Sequence, residues 1–404
     1  MKKIYLYIVP FFPSPRSWRG GFFYDFAKGL IDSNCYDVKV LSIGQNENYV
    51  YHGIQVLGVK TFKIGASDWF AFITDYIKIY FLLKKMYEEQ IHLNDIAVCH
   101  INLIDRMAFY GTLFKIISPK CKLLFHHHWS GVCPLPGGRL LKIPLVRELE
   151  YLRLYHQYKN ADVHVFCSQQ TQARFNLQYD TNGVGRDLRE MCRFSNLLPK
   201  LKIKNSMVFY NGVNTHLFSK KNDGNDAIHD GKFRIGCVAN FTPTKSQRTL
   251  IEAFYQIHEI CSDVVLLFVG SGATLHECKI LVQRFALTDK VFFIEEMDHS
   301  KLASFYLSLD LYVLPSYFEA FNCSLVEAWA CGVPCIATKE ISFGEVLFPQ
   351  DRDFWLFPAK DSKTLAKCIL NVYHNNVAQQ VLSKNLNITH ILKQFLENLI
   401  ERTR

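Results

Sequence analysis

Between Leu311 and Pro334 the chain reads LYVLPSYFEAFNCSLVEAWACGVP. The apolar run Leu311–Pro315 predicts a buried strand. Asn322 is a good helix N-cap, Gly332 suits the position just past a helix end, and Pro334 stops the helix beyond it. A strand, a turn and a short capped helix are therefore fixed over two dozen residues. Glu319 falls in the turn and Glu327 about one and a half turns into the helix. At about 1.5 Å rise per residue the two carboxylates stand on the order of 7–10 Å apart. The helix start between them offers unpaired N–H groups to an anion such as a phosphate. A sugar nucleotide fits this layout, with one carboxylate for hexose hydroxyls, the other for ribose hydroxyls, and a diphosphate between. Two surface glutamates on an amphipathic helix would give the same spacing.

The rest of the chain alternates short apolar runs with helical segments, the pattern of a doubly wound sheet. The first half offers strands at Ile4–Val9, Val38–Ser42, Ile96–His100, Lys122–His128, Val163–Ser168 and Met207–Asn211. The second offers Arg234–Ala239, Val264–Val269, Val291–Ile294, Leu311–Leu314, Pro334–Ala337 and Phe354–Phe357. With 404 residues, two domains are expected. The polar, Gly-containing stretch Lys220–Gly231 predicts a linker between them. The boundaries expected are 1–216 for the first domain, 217–231 for the linker and 232–385 for the second domain. Ile388–Glu401 reads as an amphipathic helix, within a terminal segment 386–404.

Charge divides unevenly. Up to His216 there are 27 basic and 16 acidic residues, a surplus of 11; the remainder has 19 and 21, a deficit of 2. Basic residues are dense from Arg139 to Lys204. They read either as solvated helix faces or as a surface drawn to anionic lipid or a pyrophosphate-linked acceptor. No nucleic-acid motif accompanies them, so no nucleic-acid partner is expected. No run reaches the roughly 18 apolar residues of a spanning helix. Lys2-Lys3 followed by Ile4–Phe12 imitates a leader, but Pro10, Pro13 and Pro15 follow and no small-residue cleavage site does, so a first buried strand is expected. Thirteen scattered cysteines read as reduced thilos of a cytoplasmic protein, with peripheral attachment to the membrane's inner face as the further expectation.

Pro315-Ser316, Glu319, Phe321, Glu327-Ala328, Ala330, Gly332, Pro334 and Ile336 resemble the signature of retaining glycosyltransferases of family 4, the group 1 transferases of GT-B architecture. Phe209–Asn214 with Phe218, Val238–Phe241 with Lys245 and Leu250–Phe254, and Leu266–Gly272 follow in the order that family has. The resemblance is dense from Asn211 to Pro358 and thin before it. It implies an α/β, GT-B fold of two Rossmann-like doubly wound domains facing a cleft. The first would bind the acceptor and the second the nucleotide sugar, with the C-terminal helix crossing back to the first.

For single residues the resemblance implies that Lys245 meets the donor diphosphate and that Glu319 orients the donor hexose while Glu327 grips the ribose. Ala320, Phe321, Asn322 and Cys323 complete the donor loop. The family has an arginine where this chain has Asn240, which leaves one cation fewer; Arg248 is a candidate substitute. The turn Gly270-Ser271-Gly272 would border the base, with Met297 near it. The same glycines suggest a dinucleotide fingerprint, but Leu275 stands where its third glycine belongs. Gly20-Gly21 opens a helix after the first strand, where glycines let backbone approach the leaving diphosphate. His126, His127 and His128 end a strand, with His126 and His128 on one face. The family places a histidine near the reacting carbon; His128 is the first candidate and His126 the second, and His100 ends a neighbouring strand. No metal is expected from these histidines, since one strand cannot converge adjacent side chains on an ion. The only Asp-x-Asp, Asp351-Arg352-Asp353, reads as solvated. The aromatic helix Trp69–Tyr87, with Phe70, Phe72, Tyr76, Tyr80 and Phe81, reads as packed on the sheet or as touching lipid.

The expected activity is therefore retaining, metal-independent transfer of a sugar from a nucleotide diphosphate to a saccharide or lipid-linked saccharide, in surface polysaccharide or glycolipid synthesis. No cofactor is expected beyond the nucleotide-sugar co-substrate, and an anionic membrane surface is a further expected partner. A non-catalytic GT-B-like partner subunit and a nicotinamide-dinucleotide dehydrogenase are the alternatives.

Overall fold

In the computed structural model the chain divides into two compact units, residues 1–210 with 391–404, and residues 211–390. The structure describes residues 2–15, 20–59, 70–103, 107–128, 144–175, 178–181, 184–203, 205–219, 230–341, 352–375 and 387–403.

The first unit is built on β1 (Ile4–Val9), β2 (Asp37–Ser42), β3 (Tyr49–Tyr51), β4 (Ile54–Gly58), β5 (Ile96–Leu103), β6 (Lys122–His127) and β7 (Val163–Phe166). A separate hairpin, β8 (Gln178–Thr181) with β9 (Val184–Asp187), precedes the last strand, β10 (Ser206–Val208). The sheet order is β10-β7-β6-β5-β1-β2-β4-β3. All neighbours are parallel except the edge pair β3–β4. β1 is buried along its whole length, as a central parallel strand covered on both faces must be. The helices are α1 (Gly21–Asp32), α2 (Phe70–Glu88), α3 (Ala108–Ile117), α4 (Pro144–Lys159) and the short α5 (Gln169–Arg174). In α2, Ile79, Leu82 and Met86 are buried, a spacing that lays one stripe on the sheet. Of its aromatic residues, Trp69 lies outside the described residues; Phe81 packs on the core and Tyr80 is exposed.

The second unit has β11 (Phe233–Val238), β12 (Val264–Val269), β13 (Val291–Ile294), β14 (Leu311–Leu314), β15 (Cys335–Thr338) and β16 (Leu356–Phe357). Their order is β13-β12-β11-β14-β15-β16, all parallel. The connecting helices are α6 (Gln247–Ile257), α7 (Leu275–Arg284), α8 (His299–Leu307) and α9 (Cys323–Ala330). This is the doubly wound order in which the first strand lies centrally and the chain then returns to its other side.

Several expectations are corrected. Phe354 and Trp355 belong to a helical turn, Arg352–Trp355, and only Leu356–Phe357 pair as a strand. Asp351 of the Asp-x-Asp lies outside the described residues. The first unit's last strand stops at Val208 rather than Asn211. Beyond it Phe218 is buried against His299 and Tyr306, so 211–218 packs with the second unit and not at the end of the first. The hairpin β3–β4 was not expected; its strands are short, and His52 and Gly53 turn between them with φ of 45° and 80°. Of the linker, 220–229 lies outside the described residues.

The terminal helix, Ile388–Thr403, sets Phe395 against Phe26, His100 and Phe209 of the first unit. Leu392 lies so near α1 that a Cβ on Gly29 would come 2.0 Å from its Cδ1.

The turn after β12 depends on two glycines. Gly270 and Gly272 have φ of 135° and 149°, and a Cβ on them would stand 2.2 Å from the Ala239 carbonyl oxygen and 2.4 Å from that of Phe241. The turn is held there by Phe241 N–H donating to Ser271 O at 2.9 Å and Thr274 N–H to Phe241 O at 3.1 Å. Gly270→Ala or Gly272→Ala should each cost about 1–3 kcal/mol, through a disfavoured φ and a backbone clash together. Urea unfolding checks this; unchanged midpoints would contradict the close approach.

Candidate functional site

In each unit the chain reverses its direction of strand addition beside the first strand, and several of the expected site residues lie at the strand ends there. Open parallel sheets form a crevice at such a reversal, outside the carboxyl ends of the strands.

In the second unit the reversal lies between β11 and β14. The chain leaves β11 through Asn240 and a short 3₁₀ turn, Pro243–Lys245, so Lys245 precedes α6 rather than beginning it. It leaves β14 through Glu319 and enters α9. The Lys245 ammonium donates to Glu319 Oε1 at 2.5 Å, and the Asn322 amide donates to the same oxygen at 3.1 Å. Glu319 is largely buried, its side chain 8% exposed against 22% for Lys245. Asn322 is the cap the sequence predicted: its Oδ1 accepts the Leu325 N–H at 2.8 Å. Tyr312 and Ser324 both reach the Val238 carbonyl, at 3.2 and 2.8 Å, and so tie β14 and α9 to the end of β11. Past α9, Gly332 has φ of 80°, the left-handed turn expected there.

Glu327 is held from α8. The Tyr306 hydroxyl donates to Oε2 at 2.9 Å, and His299 Nε2 stands 3.6 Å from Oε1. Burial foremost, with the Glu327 charge beside it, holds the Tyr306 phenol well above its ordinary range, so Tyr306 serves as a donor. Neither His299 nor Tyr306 was picked out from the sequence. Asn240 is exposed, and its carbonyl accepts from Gln247 Nε2 at 2.9 Å. Gly270 lies beside it, 3.6 Å separating a Cβ there from the Asn240 nitrogen. Arg248 is not gathered with Lys245 and Glu319; its guanidinium is paired with Glu252 at 2.8 Å. Ala320 is buried, while Phe321, Cys323 and Met297 are half-buried.

In the first unit the reversal lies between β1 and β5. Gly20, with φ of 92°, caps α1, and Phe22 and Phe23 just after it pack on the His128 ring at 5.4 and 5.5 Å between centroids. His128 Nε2 lies 2.9 Å from Asn102 Oδ1, and the Asn102 amide donates to Ile8 O at 3.0 Å. Since Oδ1 can only accept, His128 carries its proton on Nε2 and leaves Nδ1 as a base. His126 stacks between His128 and His100, and Tyr5 reaches His100 Nδ1 at 2.7 Å. Asn102 is the partner that sequence reading missed; its place two residues after His100, on the same face of β5, was the available signal.

His127 faces the other way. Its Nε2 lies 2.8 Å from His164 Nδ1, and His164 Nε2 lies 3.0 Å from the Tyr158 carbonyl. The carbonyl fixes the direction: His164 donates from Nε2, and His127 donates to His164. Among the described residues no group of three or more His, Cys, Asp or Glu is placed to hold a metal ion.

Burial drives all five rings toward the neutral form. His100 and His128 are pushed down to about 3 and His164 to about 4, while His126 and His127 lie well below the usual value. The unfolded chain, titrating near 6.5, binds more protons than the folded one below that pH, so stability is lost as pH falls from about 6.5 toward 3–4. Unfolding free energy from urea titration should therefore drop steadily between about pH 7 and 5, above the range where carboxylates titrate. A flat profile there would contradict the buried neutral cluster.

Both sheets and their connections are those of a GT-B fold, and comparison with known proteins agrees. A HepE protein from Anabaena, solved in complex with UDP and glucose, has a TM-score of 0.67 over 99% of this chain and 100% of that one, at 17% identity. Residues 218–387, nearly the whole second unit, match the family described as Glycosyl transferases group 1, as their signature implied. The N-acetyl-alpha-D-glucosaminyl L-malate synthase of Bacillus anthracis is 35% identical over 111 residues, 27% of this chain and 28% of that protein. The phosphatidyl-myo-inositol mannosyltransferase of Mycobacterium leprae is 32% identical over 139 residues, 34% and 36% of the two chains. The matched segments thus span about a third of these relatives' lengths.

Proposed function

We propose that this chain is a retaining glycosyltransferase that moves a sugar from a nucleotide diphosphate to a saccharide or lipid-linked saccharide acceptor. One observation carries the reading: Lys245, Glu319 and a capped helix start converge at the strand reversal of a group 1 transferase domain. The diphosphate takes Lys245 from Glu319 and rests on the first N–H groups of α9. Glu319, so released, accepts hydroxyls of the donor hexose, and Glu327, oriented by Tyr306 and His299, accepts those of the ribose. In the first unit, the α1 start at Gly20-Gly21 and the His128 ring serve the reacting end. The acceptor oxygen bonds the anomeric carbon as the bond to the diphosphate breaks, and the acceptor's proton passes to the departing phosphate oxygen on the same face. Charge grows on the diphosphate, and Lys245 with the helix start stabilises it without a metal ion.

Lys245→Ala should lower turnover about 10²–10³-fold, since a preorganised donor to developing charge is lost. Glu327→Ala should weaken nucleotide binding about 10- to 150-fold, the loss of a charged hydrogen bond. A thermal-shift screen of nucleotide sugars identifies the donor; turnover assays and calorimetry then read the variants. Survival of Lys245→Ala turnover within a few fold would remove Lys245 from that role. Unchanged nucleotide affinity in folded Glu327→Ala would remove Glu327 from the site.

The acceptor, on this reading, is reached at an anionic membrane surface. The first unit's α4 exposes Leu145 and Leu149, 68% and 67%, and the segment beside it exposes Phe194 and Leu197. Glu148 holds that segment by accepting Arg193 N–H at 2.7 Å. Arg193 lies over the Phe194 ring, and exposed Lys159, Lys200 and Lys202 gather toward the other end of α4; each basic residue near anionic lipid contributes about 1 kcal/mol. No described helix is long and apolar enough to cross a membrane. Vesicle sedimentation should show binding to anionic but not neutral lipid, weakening as salt rises. Equal partitioning to both lipids would overturn the docking.

A further inference from the structure

On the flank of the second unit, between α6 and α7, lies a cavity of about 550 Å³ whose residues the proposed donor chemistry does not use. Its wall carries two cations with no acidic partner among the described residues: Arg284 at the end of α7, and Lys360, whose ammonium lies 4.6 Å from the centre of the Tyr317 ring. Arg248 also lines it but is neutralised by Glu252. The wall is not purely cationic. Gln247, 1% exposed, borders the cavity; its Nε2 is spent on the Asn240 carbonyl, and its buried Oε1 has no hydrogen-bond partner. A buried acceptor left so costs roughly 1–3 kcal/mol unless a donor arrives, and Glu277 adds a carboxylate. Cations for an anion beside acceptors for hydroxyls describe a ligand charged at one end and hydroxylated along the rest.

The same wall is the back of the turn that carries Lys245. Thr242, Pro243 and Ser246 line the cavity, and Lys245 N–H donates to Thr242 O at 3.0 Å. Ser246 has φ of 51°, a left-handed conformation that serine rarely adopts, so the turn is under local strain. The Tyr317 ring under Lys360 belongs to a residue whose N–H donates to Thr244 O at 3.1 Å. A ligand on this wall therefore touches the turn directly, and reaches it again through Lys360 and Tyr317. The turn's far side presents the Lys245 ammonium to Glu319.

We propose that this cavity is an effector site for a sugar phosphate, and that its occupancy is transmitted through the Pro243–Lys245 turn to the nucleotide site. Arg284 and Lys360 hold the phosphate, while Gln247 Oε1 and Glu277 accept the sugar hydroxyls. The transmission rests on the donor reading above; binding in the cavity does not. Glucose 6-phosphate is a suitable probe, because its anomeric end is free and it does not mimic a nucleotide sugar.

Calorimetry on the full chain, with UDP saturating, should show glucose 6-phosphate binding at millimolar concentration or below, with glucose and inorganic phosphate each at least about tenfold weaker. Arg284→Ser and Lys360→Gln should each weaken it about ten- to hundredfold while leaving UDP affinity in its absence unchanged. Saturating glucose 6-phosphate should shift UDP affinity about 5- to 150-fold in either direction, and UDP should shift glucose 6-phosphate affinity by the same factor. The proposal is overturned by no binding at millimolar concentration, by competition with UDP, by undiminished binding in both variants, or by a UDP affinity that does not move. If UDP itself fails to bind, the donor reading and the transmission fall together, and the heat of glucose 6-phosphate with its loss in Arg284→Ser still decides the cavity.

Discussion

Each sheet adds strands on one side of its first strand and then returns to the other, and the chemistry-bearing residues of each unit depend on that reversal. Loops leaving adjacent strands diverge there, so the strand ends are not covered by their own connections. In the second unit this brings Asn240 and Lys245, leaving β11, beside Glu319, leaving β14, across 74 residues of sequence. In the first it brings Gly20, following β1, beside His128, Asn102 and His100 on the strands across the reversal.

The Lys245–Glu319 pair has two consequences. A carboxylate 8% exposed needs a partner, since removal of one member of a buried pair costs about 3–5 kcal/mol. Asn322 supplies a second donor while also capping α9, so one side chain links the carboxylate to the helix start. The cation that would meet a diphosphate is thus already in place, and a nucleotide would exchange one anionic partner for another rather than order a free lysine. Asn240, standing where the resembled family has an arginine, would leave this exchange to a single cation on that loop.

Much of this was legible in sequence. Asn322, Gly332 and Pro334 marked the helix that the structure builds, because caps and stops are local chemistry. Ile4–Val9 and Val264–Val269 appear with the expected bounds, because buried parallel strands read as unbroken apolar runs. The hairpin Tyr49–Gly58 went unread, because a three-residue edge strand carries too little pattern. Phe218 fell within the expected linker rather than the second unit, because burial against His299 and Tyr306, some 80 residues on, leaves no local trace. The partners of Glu327 were hidden for the same reason, and Arg248 offered the right charge without the right direction. The face shared by His126 and His128 followed from alternation, whereas the hydrogen-bond directions through Asn102 and His164 needed coordinates.

The strand reversal of the second unit is the proposed nucleotide-diphosphate site. A crystal structure of the protein with UDP tests it most directly. The diphosphate is expected on Lys245 and the first turn of α9, with Glu319 released from the lysine and the ribose hydroxyls on Glu327. A nucleotide bound elsewhere, or one bound here with Lys245 and Glu319 still paired and Glu327 untouched, would contradict it.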